Sequence, residues 1–238
     1  MSVRVVSSTP SAYRYPLLIK HLLLTPLATA PEQEITYQGK VRYTYRTLKE
    51  RIGRLANLLA RLGVRAGQTV AVMDWDSHRY LEAFFAVPMM GAILETVNVR
   101  LSPEQILYIL NHAGPEVLIV NSDFFPILNE IAGNLETVKT FVTIDEHGTA
   151  PVAPVPSAGD YEVLVAAASA NYDLPDFDEN AQAPTFYTTG TTGEPKGVSH
   201  TSNTMLSNLV PFAERLHLSE GDVIHMPSPM AHHFLVLL

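Results

Sequence analysis

Residues 187–198 read Tyr-Thr-Thr-Gly-Thr-Thr-Gly-Glu-Pro-Lys-Gly-Val, and no other stretch of the chain concentrates so many groups able to bind an anion. Glycine allows positive φ and close approach of backbone to ligand. Successive backbone N–H groups can then form a concave nest for an anion. Thr188, Thr189, Thr191 and Thr192 add hydroxyls, Gly190 and Gly193 add freedom, and Lys196 adds a positive charge. That chemistry suits a polyphosphate. The spacing matches neither G-x-x-x-x-G-K-[ST] nor G-x-G-x-x-G. A Gly/Thr-rich surface turn between a strand and a helix is the plain alternative, but a turn has no need of the trailing Glu194-Pro195-Lys196-Gly197.

The elements that must position this string alternate between strand and helix. Leu48, Ile52, Leu55, Leu59 and Leu62 recur at helical spacing within 44–62, and Gly63 supplies a stop. A strand is expected over 69–73, a helix over 78–90 with Pro88 near its end, and a strand over 93–97. Ser102-Pro103-Glu104-Gln105 reads as a helix start with a capping box, and Gly114-Pro115 as its end. Strands over 117–120 and 138–144 bracket a helix over 124–131. Residues 145–159, rich in proline, alanine and glycine, read as a loop and a candidate subdomain boundary. A short helix over 161–168 precedes a strand over 183–187 that delivers the chain into the threonine string. A helix over 201–216, kinked at Pro211, and a strand over 223–226 follow. The fold class expected is α/β, a mostly parallel sheet with helices on both faces.

The chain has 238 residues, of which 47% are hydrophobic, enough for a substantial core. No apolar run approaches the roughly 18 residues of a membrane span, and no secretory signal pattern opens the sequence. Cysteine is absent, which excludes disulfides, thiolate catalysis and thiolate metal sites, and a cytoplasmic location is the default expectation. Twenty-four acidic against 16 basic residues give a net charge of −8, contrary to a nucleic-acid surface. Asp74, Asp76 and His78 lack a third ligand at zinc spacing and read as caps and loop residues, and Trp75 reads as packing.

The whole string at 187–198 resembles the phosphate-loop signature of the adenylate-forming superfamily, which includes acyl-CoA synthetases, peptide-synthetase adenylation domains and luciferases. Residues 73–82 and Asn98-Val99-Arg100-Leu101-Ser102-Pro103 are similar to the medium- and long-chain fatty-acid–CoA ligases. Residues 196–232, above all Met226-Pro227-Ser228-Pro229-Met230-Ala231-His232, are closer to ligases of cyclohexanecarboxylate and related acids. The resemblance implies a two-step reaction. A carboxylate attacks the α-phosphate of ATP to give acyl-AMP and pyrophosphate, and the CoA thiol then takes the acyl group. It assigns Thr188, Thr189, Gly190, Thr191, Thr192, Gly193 and Lys196 to the nucleotide phosphates, with Thr188 near Mg²⁺. Lys196 either neutralises phosphate charge or steadies the loop. His232 falls at the family's histidine beside the acyl and adenylate pocket; His232 and His233 otherwise simply lie at a strand end.

The sequence departs from the family after His233, where Phe234-Leu235-Val236-Leu237-Leu238 replaces the usual continuation, and no Tyr-Gly-x-Thr-Glu segment is found. Residues 1–238 are therefore expected to form part of an N-terminal AMP-binding domain, without the C-terminal domain, and to be inactive in isolation. ATP, Mg²⁺, CoA and a fatty or alicyclic acid belong to the complete enzyme, and the family resemblance also allows a homodimer. The alternative readings are a non-catalytic nucleotide- or polyphosphate-binding module and an interaction protein in which the N-terminal region pairs with another copy; the apolar 234–238 is separately expected to make the product self-associating or poorly soluble.

Overall fold

The computed structural model describes residues 4, 6–149, 151–188, 194–219, 221–224 and 230–232. A short helical segment, Ile19–Leu23, runs into α1 (Leu24–Thr29), and a two-stranded hairpin of β1 (Glu34–Tyr37) and β2 (Val41–Thr44) follows. Then come α2 (Tyr45–Arg61), β3 (Thr69–Met73), α3 (His78–Met89), β4 (Ile93–Thr96), α4 (Pro103–Ala113), β5 (Val117–Asn121), α5 (Phe125–Ile131) and β6 (Thr140–Ile144). β7 (Ser157–Asp160), α6 (Tyr161–Ala166), β8 (Gln182–Thr188), β9 (Lys196–Thr201) and α7 (Ser202–Arg215) complete the described elements, apart from short 3-10 turns.

Seven strands form one sheet in the order β7-β6-β5-β3-β4-β8-β9. Every pairing is parallel except the last, β8 with β9. The expected α/β class, with helices on both faces, is what the chain adopts. The strand periodicity explains it. Val70, Val72, Val117, Ile119, Val142 and Ile144 point to one face, where α2, α3 and α6 pack. Ala71, Met73, Leu118, Val120 and Phe141 point to the other, beneath α4 and α5. A strand buried on both faces favours apolar residues, and every residue of β3 and β5 is buried and apolar except Thr69 and Asn121 at their ends, which are buried but polar. Pro184 lies inside β8, where an N–H is lost from the ladder. It is accommodated where the β8–β9 register shifts between Gln182 and Thr185.

Several details differ from the sequence-based expectation. Residues 145–159 are not all loop, because Ser157–Asp160 pairs with β6 as the sheet's edge strand. The threonine string does not lead from a strand to a helix. It lies between two strands, since β9 occupies 196–201. β9 escaped notice because its side chains are mostly exposed and its apolar content is low. Val223 and Ile224 are exposed and outside any strand; residues 225 and 226 lie outside the described residues, as do 233–238 with the apolar tail.

Polar contacts across the helical layer are dense. Glu82 on α3 is fully buried, and it receives Arg51 Nε of α2 at 2.6 Å and the Tyr161 hydroxyl at 2.8 Å. Glu162 on α6 receives Arg51 Nη2 at 2.9 Å and Arg79 Nε at 2.7 Å, with His78 Nε2 at 3.4 Å. Burial alone would raise the Glu162 pKa, but the His78 hydrogen bond and the charges of Arg51 and Arg79 outweigh it and hold the group at about 2. The same region admits a close backbone crossing. Arg54 donates to Ala166 O and Ala168 O, and Asn57 to Ser169 O and Asn171 O. Gly53 makes this possible, since a Cβ there would lie 1.9 Å from Ala170 O.

Two outcomes follow from this layer. Gly53→Ala forces the 166–171 crossing off α2 and is expected to cost about 2 kcal/mol, a Tm loss of roughly 4–8 °C in calorimetry. The second concerns acid. The folded pKa of Glu162 is below its unfolded value, so its stabilisation is present above the ordinary carboxylate range and is lost as pH falls through about 2. Glu162→Gln should therefore lower Tm at pH 6, and its Tm should converge on that of the native chain as pH falls from about 4.5 toward 2. A gap that stays constant over that interval would contradict the assignment.

Candidate functional site at the carboxyl ends of the strands

In an open parallel sheet, ligands bind outside the carboxyl ends of the strands, most often where successive connections leave on opposite faces. Here that point lies between β3 and β5, since α3 follows β3 on one face and α5 follows β5 on the other. It is closed by the protein itself. Asp74 accepts from Asn121 Nδ2 at 2.7 Å, from its neighbour Trp75 N at 2.8 Å, and from the Ser77 hydroxyl. Trp75 Nε1 donates to Asp123 at 2.7 Å, and its ring lies 4.8 Å from Phe124. Asp74 thus anchors the Ser77 cap of α3, Trp75 packs and closes, and His78 faces Glu162. Among the described residues no group of three or more His, Asp and Glu could hold a metal.

The open ground lies one strand further, at the ends of β3, β4 and β8. Three segments meet there. The residues after β3 contribute Asp76, whose Oδ1 accepts from Met230 N at 2.6 Å. β4 contributes Thr96, whose hydroxyl donates to Ala231 O at 3.0 Å. The short turn Met230–His232 is thereby pinned across these strand ends, which puts the His232 backbone beside the site; the His232 side chain and His233 lie outside the described residues. Between the segments is a hollow lined by Asp74, Asp76, Val97, Asn98, Arg100 and Ala231. Its volume of about 10 Å³ admits one water-sized group, so an acyl chain finds no room among the described residues there. A wider depression of about 390 Å³ at Pro211, Glu214, Arg215 and His217 draws on none of the strand ends.

β8, parallel to β4, ends at the same edge with Thr188. Its antiparallel partner begins at Lys196, in register with Thr188, so the two feet of the threonine hairpin stand side by side. Among the described residues the Thr188 hydroxyl makes only a long 3.5 Å contact to Lys196 O, and it is exposed, as is Lys196. Both groups are therefore available to a ligand. Thr189, Gly190, Thr191, Thr192 and Gly193 lie outside the described residues.

The tertiary structure also exposes residues that sequence reading passed over. Tyr187 is buried, and its hydroxyl meets His112 Nδ1 at 2.7 Å. Burial, then the nearby Glu95, pushes the Tyr187 pKa up. Glu95 sits in β4 with no exposure, and neither carboxylate oxygen has a hydrogen-bond partner. Burial raises its pKa well above the usual range and so favours the protonated form. An acidic residue inside Ile93-Leu94-Glu95-Thr96-Val97 is a visible signal, since a strand paired on both sides offers little water.

A buried, unpartnered carboxyl is destabilising, and the pH dependence has a definite sign. The folded pKa exceeds the unfolded one, so the stability linked to Glu95 is greatest below the ordinary carboxylate range and declines as pH rises above it. Glu95→Met, close in volume and without the unpaired group, is expected to stabilise by about 1–3 kcal/mol at neutral pH. The gain in Tm should be larger at pH 8 than at pH 5. A destabilised variant at both values would show that the carboxyl has a partner.

Comparison with known proteins agrees with this geometry. The model of a family described as AMP-binding enzyme matches residues 25–238. The long-chain-fatty-acid–CoA ligase of Thermus thermophilus is 41% identical over 199 residues, covering 82% of this chain and 35% of the relative. The medium-chain-fatty-acid–CoA ligase of Ectopseudomonas oleovorans is 37% identical over 193 residues, covering 80% and 35%. This chain thus spans about a third of the length of these curated relatives. Among solved structures, an anthranilate CoA ligase in complex with anthranoyl-AMP superposes with a TM-score of 0.73 at 26% identity, over 85% of this chain and 37% of that one. The N-terminal domain of FACL13 from Mycobacterium tuberculosis superposes with 0.79 at 24% identity, over 92% and 54%, which bears on the fold alone. The strand-end hairpin with Thr188 and Lys196, the sheet order and the matched length lead to one conclusion: the chain belongs to the AMP-binding enzyme family.

Proposed function

We propose that this chain is the nucleotide-phosphate-binding part of an AMP-forming acid–CoA ligase, acting on a fatty or related carboxylic acid. The observation that carries the reading is the pairing of Thr188 with Lys196 at the carboxyl end of the sheet, both exposed and at the feet of the threonine hairpin. The reaction joins two anions. The acid's carboxylate oxygen attacks the α-phosphorus of ATP, and the bond to pyrophosphate breaks. The CoA sulfur then attacks the acyl carbon, and AMP leaves with the electron pair. Repulsion between carboxylate and triphosphate must be cancelled and the groups aligned. In this reading Lys196 cancels charge, while the Thr188 hydroxyl and the hairpin's remaining threonines and glycines direct the β- and γ-phosphates.

Mg²⁺ fits the residues present in a limited way. It usually takes one or two protein ligands beside phosphate oxygens and waters. The Thr188 hydroxyl has only its long contact to satisfy and suits one such place; the ion would supply further neutralisation of phosphate charge. In this reading His232 belongs to the acyl and adenylate pocket; the pinning of Met230 and Ala231 by Asp76 and Thr96 at the same edge supports it. A cytoplasmic setting belongs to the same proposal.

Isothermal calorimetry with inorganic pyrophosphate tests the reading. Binding at about millimolar strength, near −4 kcal/mol, is expected for the chain. Lys196→Ala combined with Thr188→Ala should weaken it by roughly tenfold, the equivalent of about 1.4 kcal/mol. Equal binding by the double variant would remove the hairpin from the site.

A further inference from the structure

The hairpin has a brace that its own sequence does not supply. Lys196, Gly197, Val198 and Ser199 of β9 are exposed, and β9 is the last strand of the sheet, so the hairpin's outer strand has little packing of its own. Its inner strand, β8, reaches α4 through Tyr187. Tyr108 and His112 are four residues apart and share one face of that helix. Their rings stack at 5.7 Å with an interplanar angle of 21°. His112 Nδ1 meets the Tyr187 hydroxyl at 2.7 Å, and the two rings stand edge to face at 89°. Tyr187 immediately precedes Thr188, which stands in register with Lys196. The inner foot of the hairpin is therefore tied to this helix face.

Gly197 completes the fit. It pairs with Tyr187 across the ladder, and an added Cβ would meet the Tyr187 ring at 3.2 Å and its hydroxyl oxygen at 3.4 Å. The ring cannot give way readily, because its hydroxyl is held by His112. The helix that holds it is itself fixed. Ser102 and Gln105 form a complete capping box, Gly114 ends α4 in the left-handed conformation, and Ile106, Ile109 and Leu110 are buried in the core.

We propose that His112, with Tyr108 stacked on it, is a positioning residue for phosphate binding, which holds the strand end bearing Thr188, and with it the paired Lys196, through Tyr187. A short hydroxyl and a flexible ammonium recognise phosphate oxygens well only when the backbone beneath them is already placed. The inference rests on the phosphate-binding reading above, and extends it to a helix outside the phosphate site. The contact is not explained by core packing alone, since His112 is exposed.

The test uses the chain in four forms: Tyr187→Phe, Tyr108→Ala, His112→Ala, and His112→Asn as the conservative replacement that restores a polar atom near Nδ1. Two quantities are read, amide hydrogen exchange in peptides covering 183–201 and pyrophosphate affinity by calorimetry. Loss of the His112–Tyr187 tether, or of the ring stacked beneath it, should raise exchange in that segment and weaken pyrophosphate binding about fivefold, with exchange in β3, β5 and α2 unchanged. His112→Asn should recover both. A merely structural role would instead raise exchange throughout and lower Tm. Unchanged exchange in 183–201 overturns the brace. Raised exchange with unchanged affinity overturns its role in positioning. If the native chain binds no pyrophosphate, the phosphate reading itself fails, and exchange alone decides whether α4 holds the hairpin.

Discussion

The parallel pairing of β4 with β8 is the contact on which the site depends. It joins residues 94–96 to residues 184–186, ninety positions later in the chain, and so carries a large loop-closure cost. What offsets that cost is burial on both faces of β8, with Phe186 turned to one core and Tyr187 to the other. Because the pairing is parallel, β8 ends at the same edge as β3 and β4. Thr188 thus arrives beside the segments that hold Met230–His232. An antiparallel pairing of the same residues would have sent Thr188 to the opposite edge.

A sheet covered on both faces leaves little water for polar groups, and the chain meets that constraint in two ways. Around Glu82 and Glu162 the charges are paired, with Arg51 bridging both carboxylates and Tyr161 filling a remaining acceptor. Removing one member would leave another buried and uncompensated, so the group acts as a unit that ties α2, α3 and α6. Glu95 has no such partner among the described residues, and burial favours its protonated form. The difference is location. The helical layer offers long cationic side chains from neighbouring elements, whereas the centre of the sheet offers only backbone already committed to its ladder.

Closure of the β3–β5 point by Asp74, Asn121 and Trp75 has a matching consequence. Groups that could have faced a ligand there satisfy one another, and the accessible edge moves to β3, β4 and β8. The site is therefore assembled from segments around residues 76, 96, 188, 196 and 230, brought together by strand order rather than by proximity in sequence.

The amino-acid sequence by itself determined the alternation of strands and helices, the capping box at Ser102 and Gln105, the stop at Gly114, and the concentration of threonine, glycine and lysine at 187–198. Each is encoded locally, by periodicity or by a residue whose backbone preference is strong. The tertiary structure alone decided the strand order, and with it which ends meet. It also decided that the threonine string joins two strands, because β9 has neither an alternating nor an apolar pattern and forms only by pairing with β8. Tyr108, His112 and Tyr187 were invisible as a group for the same reason. Aromatic residues on a helix and a strand 75 positions apart become neighbours only once α4 is laid across the sheet. Asp76 and Thr96 read as a loop residue and a strand residue, and gained their partners only when 230–232 folded back over the strand ends.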